Sequence, residues 1–370
     1  MTDILDFLNT PAAGERLERL AALLEAETAP PVRRAEFSNN HIHTIYSFSP
    51  YSPAAAVYFA RAAGLPTAGI MDHDSVAGAA EFREAGTLAG IGVTCGFECR
   101  ARLDGTFLEK LKVNNPDQAG VAYMAMHSVR ARYFNRTQET LAPLRERRNL
   151  RSRAMTERAA EITGFDLDFD ADVVPLSRYA EGGAVTERHI LYALAGKLGT
   201  PDSGNPYWRY DLLGRLKTEL LPQIYIPAGD ELLSLDELVS LAREIDAILC
   251  YAYLGDVTVS ATGDKAAARY EDGFLEALLR LMKERGVAGV TFMPSRNTPK
   301  QLKRLMALCV RYGFTQISGE DINSPRQGFL CDQLTRPEFR HLVDEAWRMV
   351  RREEEDDANA DESGTALRQA

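Results

Sequence analysis

The chain lacks several features that would have settled its class at once. No apolar run approaches the roughly 20 residues of a membrane-spanning helix, so no membrane partner is expected. Nor is there a basic excess: 43 Lys and Arg stand against 53 Asp and Glu, a net charge of -10. That argues against a nucleic-acid partner, which needs a basic face to neutralise phosphates. A small phosphorylated substrate stays open, because bound cations can supply positive charge locally. Cysteine is sparse. The five (Cys95, Cys99, Cys250, Cys309, Cys331) form no Cys-x-x-Cys, and an odd number on a long chain reads as reduced thiols in a cytoplasmic protein. The first ten residues are acidic and lack the basic start and apolar core of a signal peptide. No internal repeat is evident. Histidine is almost as rare as cysteine, six in 370 residues, so any gathering of histidines carries information.

Two of the six stand in Asn39-Asn40-His41-Ile42-His43-Thr44, after a short extended run. Residues two apart on a strand point the same way, so His41 and His43 project together, as two imidazoles gripping one ion would. Upstream, Leu17, Leu20 and Leu24 predict an amphipathic helix over 14–27, packed on the main body. From residue 35 strands and helices alternate. A helix over 53–63 with Pro53 at its start is followed by a strand, 67–71, that delivers Asp72-His73-Asp74. A strand over 91–97 delivers Glu98, and after a hairpin-like region the strand 121–126 delivers His127. From 128 to 245 the rhythm lapses into polar helical signal, with many arginines and irregular segments at 182–183 and 200–206. It resumes with a strand at 247–253, a helix at 267–285, a strand at 287–292, a helix at 299–312 and a strand at 315–317 that delivers Glu320-Asp321-Ile322-Asn323. A last helix is expected at 336–352, with the acidic run from Glu353 to Asp357 as a frayed tail.

Repeated βα order points to a parallel barrel or an open doubly wound sheet. In a barrel, functional residues collect at the C-terminal strand ends, where His41, His43, His73, Glu98 and His127 are expected. Imidazole and carboxylate ligands together suit zinc, manganese or iron. From spacing alone, His41, His43, Glu98 and Asp321 could fill one site, with Glu98 and His127 beginning a second.

The ordered set His41-Ile42-His43, Asp72-His73-Asp74, Gly96-Phe97-Glu98, His127 and Ser318-Gly319-Glu320-Asp321 resembles the PHP family (polymerase and histidinol phosphatase) over roughly 35–127 and 246–325. The resemblance implies an α/β fold, a distorted (β/α)7 barrel with a mostly helical inserted subdomain, and hydrolysis of a small phosphoester. Its organisation would be an extension at 1–34, a barrel from 35–127 and 246–330, a cap at 128–245, and a C-terminal helix with acidic tail at 331–370. It implies one to three divalent ions (Mn, Zn or Fe): a first held by His41, His43, Glu98 and Asp321, a second bridged by Glu98 to His127, and a third position for His73. Thr186-Glu187-Arg188-His189 is similar to an Arg-Pro-His segment of capped members, implying Arg188 as a phosphate clamp and His189 as a phosphate contact or general acid. Asp72 joins them as a catalytic candidate. Three departures stand out. Tyr253 replaces a family histidine, Asn323 replaces another, and Ser49 stands where an aspartate or histidine is expected. A protein that binds metal or a phosphorylated ligand without turnover is the alternative.

Overall fold

The computed structural model describes residues 2–27, 30–199, 204–256 and 269–368, with residues 2 and 356–368 described by backbone alone. Parts of two expected segments, 200–203 and 267–268, lie outside the described residues.

The strands are β1 (Asn39–Ile42), β2 (Thr67–His73), β3 (Gly92–Arg102), β4 (Val121–His127), β5 (Leu233–Ser234), β6 (Ile248–Tyr253), β7 (Gly289–Phe292) and β8 (Thr315–Ser318). They form one curled mixed sheet in the order β1-β2-β3-β4-β6-β7-β8, with β5 off this path beside β3. The two edges meet. Ile42 bridges to Ile322 just past β8, His43 N–H donating to the Ile322 carbonyl at 2.9 Å and Ile322 N–H to that of His41 at 3.1 Å. Gly319 makes this approach possible: a Cβ there would lie 2.6 Å from the Cβ of His41 and 2.7 Å from its backbone nitrogen. The result is a curled, barrel-like sheet closed by that bridge.

Helices α1 (Thr2–Leu8) and α2 (Ala13–Glu25) pack on α3 (Pro53–Ala62) and α4 (Ala79–Ala89), burying Leu8 and Leu20 in the main core. Arg16 of α2 is buried too, paired with Glu81 of α4 at 2.5 Å. Ser52 caps α3 by accepting from Ala55 N–H, and Gly90 ends α4 in the left-handed conformation.

One expectation fails here, with consequences for the site. β4 runs antiparallel to both neighbours, pairing Glu98 with Ala125 and His127 with Ile248 at the start of β6. The reason is the connection. Residues 103–120 form a loop tied by Leu103 N–H to the Gly120 carbonyl, and without a crossover helix the next strand can only turn back. His127, at the C-terminal end of β4, therefore points back toward the start of β3, two residues beyond Ala125, the partner of Glu98.

Between β4 and β6 lie α5 (Phe134–Thr163), α6 (Glu187–Leu198), α7 (Trp208–Glu219), α8 (Leu221–Ile224) and α9 (Leu235–Glu244). Met155, Ile190, Leu194, Leu213 and Ile224 share an apolar cluster of their own with Phe48 from the loop after β1. The outer layer continues with α10 (Leu275–Arg285), α11 (Pro299–Tyr312) and α12 (Arg340–Arg368). The acidic run expected as a frayed tail is part of α12. Its Glu353 is 2 % exposed and accepts from Cys95 N–H at the base of β3, while Arg352 donates to the carbonyls of Ser128 and Asp246. Burial pushes the Glu353 carboxyl up to about 8. α12 closes the floor. No helix of the described residues is long and apolar enough to cross a membrane.

Candidate metal centre

At the open end, the ends of β1, β2, β3 and β8 bring five of the expected residues together. His43 Nε2 lies 3.2 Å from Asp321 Oδ1, His41 Nε2 lies 3.8 Å from Glu98 Oε2, and His73 Nδ1 lies 3.3 Å from the same oxygen. The rings crowd one another. His43 stacks on His73 with centroids 4.7 Å apart and meets His41 edge-on at 5.1 Å. Two overlapping sets, His41/His43/Asp321 and His43/His73/Glu98, each place one ligand atom per residue within 4.8 Å of the others. His41, His73, Glu98 and Asp321 line a cavity of about 390 Å³, with His43 packed behind them, and Arg100, Tyr123, Arg148, Glu187, Arg188 and Tyr253 line it too.

Electrostatics differ sharply among the three imidazoles. Burial, then the neighbouring His43, pulls His41 down to about 4, and burial with His43 and Arg148 holds His73 well below the usual range. Burial also pulls on His43, but its hydrogen bond to Asp321 and the charges of Asp321, Glu98 and Asp72 outweigh that and raise it. Burial would raise the Asp321 carboxyl, yet His43, His41 and Arg188 keep it well below its ordinary value. His41 and His73 thus offer neutral lone pairs and Asp321 an ionised oxygen, the donor forms that a cation requires, while His43 would give up a proton on binding one.

Three expected site residues lie elsewhere. His127, two residues past Ala125 on its backward strand, is 1 % exposed and belongs to neither ligand set, though it stays near enough to His41 to feel its charge; burial and then His41 pull it down to about 3. His73 takes the place beside Glu98 that was expected for it. Asp72 turns its carboxylate into the loop after β1, accepting from Thr44 N–H at 2.7 Å, Thr44 Oγ1 at 2.6 Å and Ser47 Oγ at 2.7 Å. His189 is tied to the start of its own helix: Thr186 N–H donates to its Nδ1 at 3.0 Å, and its ring packs edge-on against Phe48. Burial, with Arg148 and Arg188 nearby, pulls it down to about 3. Arg188 does line the cavity.

The replaced positions have partners of their own. Tyr253 donates its hydroxyl to Asp272 Oδ1 at 2.6 Å, Asn323 Nδ2 donates to Asp321 Oδ1 at 2.6 Å, and Ser49 Oγ accepts from Tyr51 N–H at 3.4 Å.

Sequence reading missed the opposite wall. Glu187, at the first turn of α6, pairs with Arg148 at 2.8 Å and Arg151 at 2.5 Å, and stands 3.8 Å from Arg100. Arg151 and Arg100 both pair in turn with Glu231, and Arg148 with Asp74 at 2.6 Å. Three arginines meet three carboxylates, and burial notwithstanding, the arginines hold Glu187 well below the usual range. Asp74 sits at φ 50°, a strained conformation for a side chain other than glycine. The clue in the sequence was the three-residue spacing of Arg145, Arg148 and Arg151, which puts neighbours near one face of a helix. Tyr123 was missed for the same reason that His127 was misplaced: in an antiparallel β4 it is the early residues that reach the mouth.

No family model matches the chain, and no curated protein matches it. Among solved structures, a Bifidobacterium adolescentis protein described as a candidate metal-dependent phosphoesterase aligns with a TM-score of 0.59 at 21% identity, covering 83% of this chain and 96% of that one. An amidohydrolase from Chromobacterium violaceum, with bound sulfate and no metal, aligns with a TM-score of 0.60 at 17% identity, covering 79% of this chain and 89% of that one. At such identities the likeness is one of fold.

Proposed function

We propose that the chain is a metal-dependent hydrolase of the PHP type acting on a small phosphoester. The observation that carries this reading is the convergence of His41, His43, His73, Glu98 and Asp321 on one cavity. Packed rings with weakly basic nitrogens beside ionised carboxylates gain most from a shared cation, so the donor set fits a divalent ion of the zinc, manganese or iron kind. His41, His43 and Asp321 would hold one ion, and His73 with Glu98 would serve a second or extend the first. Such an ion supplies Lewis acidity toward a phosphoryl oxygen and acidifies a bound water.

The chain's own residues do the rest. Arg188, close enough to Asp321 to help lower its pKa, binds phosphoryl oxygens in a two-pronged hydrogen bond. Tyr123 and the helices over the mouth exclude bulk water. His189 takes no part as an acid, because its Nδ1 is engaged at its helix start and its ring is buried against Phe48. The metal-dependent description of the first fold neighbour supports the assignment, and the five buried free thiols suit a cytoplasmic setting.

Asn323 and Tyr253, each committed to a carboxylate, favour a second reading: binding of metal or a phosphorylated ligand without turnover. Metal analysis of the purified protein and of His43→Ala tests the centre, and equal metal content would sink it. A phosphoester panel with manganese, zinc and iron then separates the readings. Hydrolysis that vanishes in Asp321→Ala supports the enzyme, and silence throughout supports the binder.

A further inference from the structure

From the loop after β1, we infer that Ser47 and Asp72 act as a positioning relay that fixes which nitrogen of His43 is presented beside Asp321 to the ion. This rests on the metal centre proposed above and adds to it two residues that would not touch the ion.

The hydrogen-bond directions leave little choice. A serine hydroxyl has one proton and two lone pairs, and an ionised carboxylate only accepts. Ser47 Oγ lies 2.7 Å from Asp72 Oδ1, so its proton goes there. The same Oγ lies 3.3 Å from His43 Nδ1, toward which it can present only a lone pair. The compatible partner is an Nδ1–H that donates to Ser47. With Nδ1–H committed to Ser47, the nitrogen that can exchange its proton for a cation is Nε2, which in the empty cluster donates to Asp321 at 3.2 Å. Thr44 steadies the relay from the other side, its N–H and hydroxyl both donating to Asp72. All four residues are nearly sealed from solvent: Thr44 and Ser47 at 0 %, Asp72 at 1 % and His43 at 2 % exposure. Water therefore cannot replace a missing bond cheaply.

His189 shows that the protein sets tautomers individually. There a backbone N–H donates to Nδ1, which fixes the proton on Nε2, the opposite choice. A ligating imidazole commonly gives its second N–H to a carboxylate, directly or through an intermediary, and this raises its basicity and locks its ring. In His43 the intermediary is Ser47.

Zinc affinity, measured by competition with a chromophoric chelator, tests the relay without any assay of turnover. Ser47→Ala should bind zinc about 10- to 100-fold more weakly than wild type. The zinc-loaded wild type should show a slowly exchanging His43 Nδ1–H proton resonance that Ser47→Ala loses. Ser47→Cys keeps the volume with a poorer donor and should fall between. Thr44→Val is the control for simple loop-holding: it removes a bond to Asp72 but leaves the path from Asp72 to His43, so its affinity should stay within about twofold of wild type. Circular dichroism confirms that each variant folds. Ser47→Ala binding as wild type while His43→Ala binds weakly would overturn the relay alone, as would a Thr44→Val loss equal to that of Ser47→Ala. His43→Ala binding zinc as wild type would overturn the metal centre and the relay together.

Discussion

Two charged constellations face the same cavity and are built on opposite plans. On one wall, Glu187, Glu231 and Asp74 alternate with Arg148, Arg151 and Arg100, and every charge meets its opposite within the chain. On the other, His41, His43, His73, Glu98 and Asp321 gather lone pairs and negative oxygens around a common point. The first arrangement is complete as folded and joins the barrel to the helices above it. The second gains its full set of partners only from a cation. A buried ion pair adds little net stability but is costly to break, whereas a converging donor set costs stability until it is filled. One wall is complete as folded; the other, on the proposed reading, is completed by a ligand.

Breaking the first wall should have the larger effect. Glu187→Ala leaves three arginines facing two carboxylates and should cost about 3–5 kcal/mol, read as a lowered thermal midpoint with zinc stoichiometry unchanged. Zinc lost along with stability would show that the walls are not independent. Breaking the second wall comes next: His43→Ala should weaken zinc binding by about 100-fold or more, beyond what outer partners typically contribute, with little change in the melting of the metal-free protein.

A smaller effect separates His127 from both. Its pKa in the folded chain is about 3, against an ordinary value near 6.5 in the unfolded chain. Between those values the unfolded state binds the extra proton, so stability falls as pH drops from about 6.5 toward 3, by about 1.4 kcal/mol per pH unit at most. His127→Gln should flatten this slope in urea titrations at pH 6.5 and pH 4.5 and leave zinc affinity alone. A drop in zinc affinity would return His127 to the centre. The smallest expected change is Tyr253→Phe. Loss of its hydrogen bond to Asp272 should cost about 1 kcal/mol, with metal content intact.

Most of the barrel was legible because its parallel strands announce themselves as short apolar runs bounded by turn residues. Their C-terminal ends carry histidines and carboxylates, residue types that apolar strands otherwise lack. His41, His43, His73, Glu98 and Asp321 were singled out that way, and the structure brings them together. What escaped depended on strand direction, which alternation of side chains does not encode. His127 looks the same at the end of a parallel or an antiparallel strand; only the helix-free loop from 103 to 120 distinguishes the two. The arginine wall escaped for another reason. Its members come from the residue after β2, from β3, α5 and α6, and from the segment before β5, and only the folded chain reveals that their charges cancel. Asp72 was legible as part of a motif but not in its role, because its partners Thr44 and Ser47 lie in a turn whose path no periodicity predicts.

The seam between Ile42 and Ile322 bears on how the molecule comes to be made. On a ribosome, β1 emerges long before the segment that must zip against it, and α12, whose Glu353 seals the base of β3, emerges later still. Until then the early strands have one unpaired edge and an uncovered floor, the condition in which chains stick to one another. Closure of contacts so distant in sequence is slow. Assistance from a chaperone during synthesis should therefore matter more for this chain than for a protein whose first and last strands are not joined.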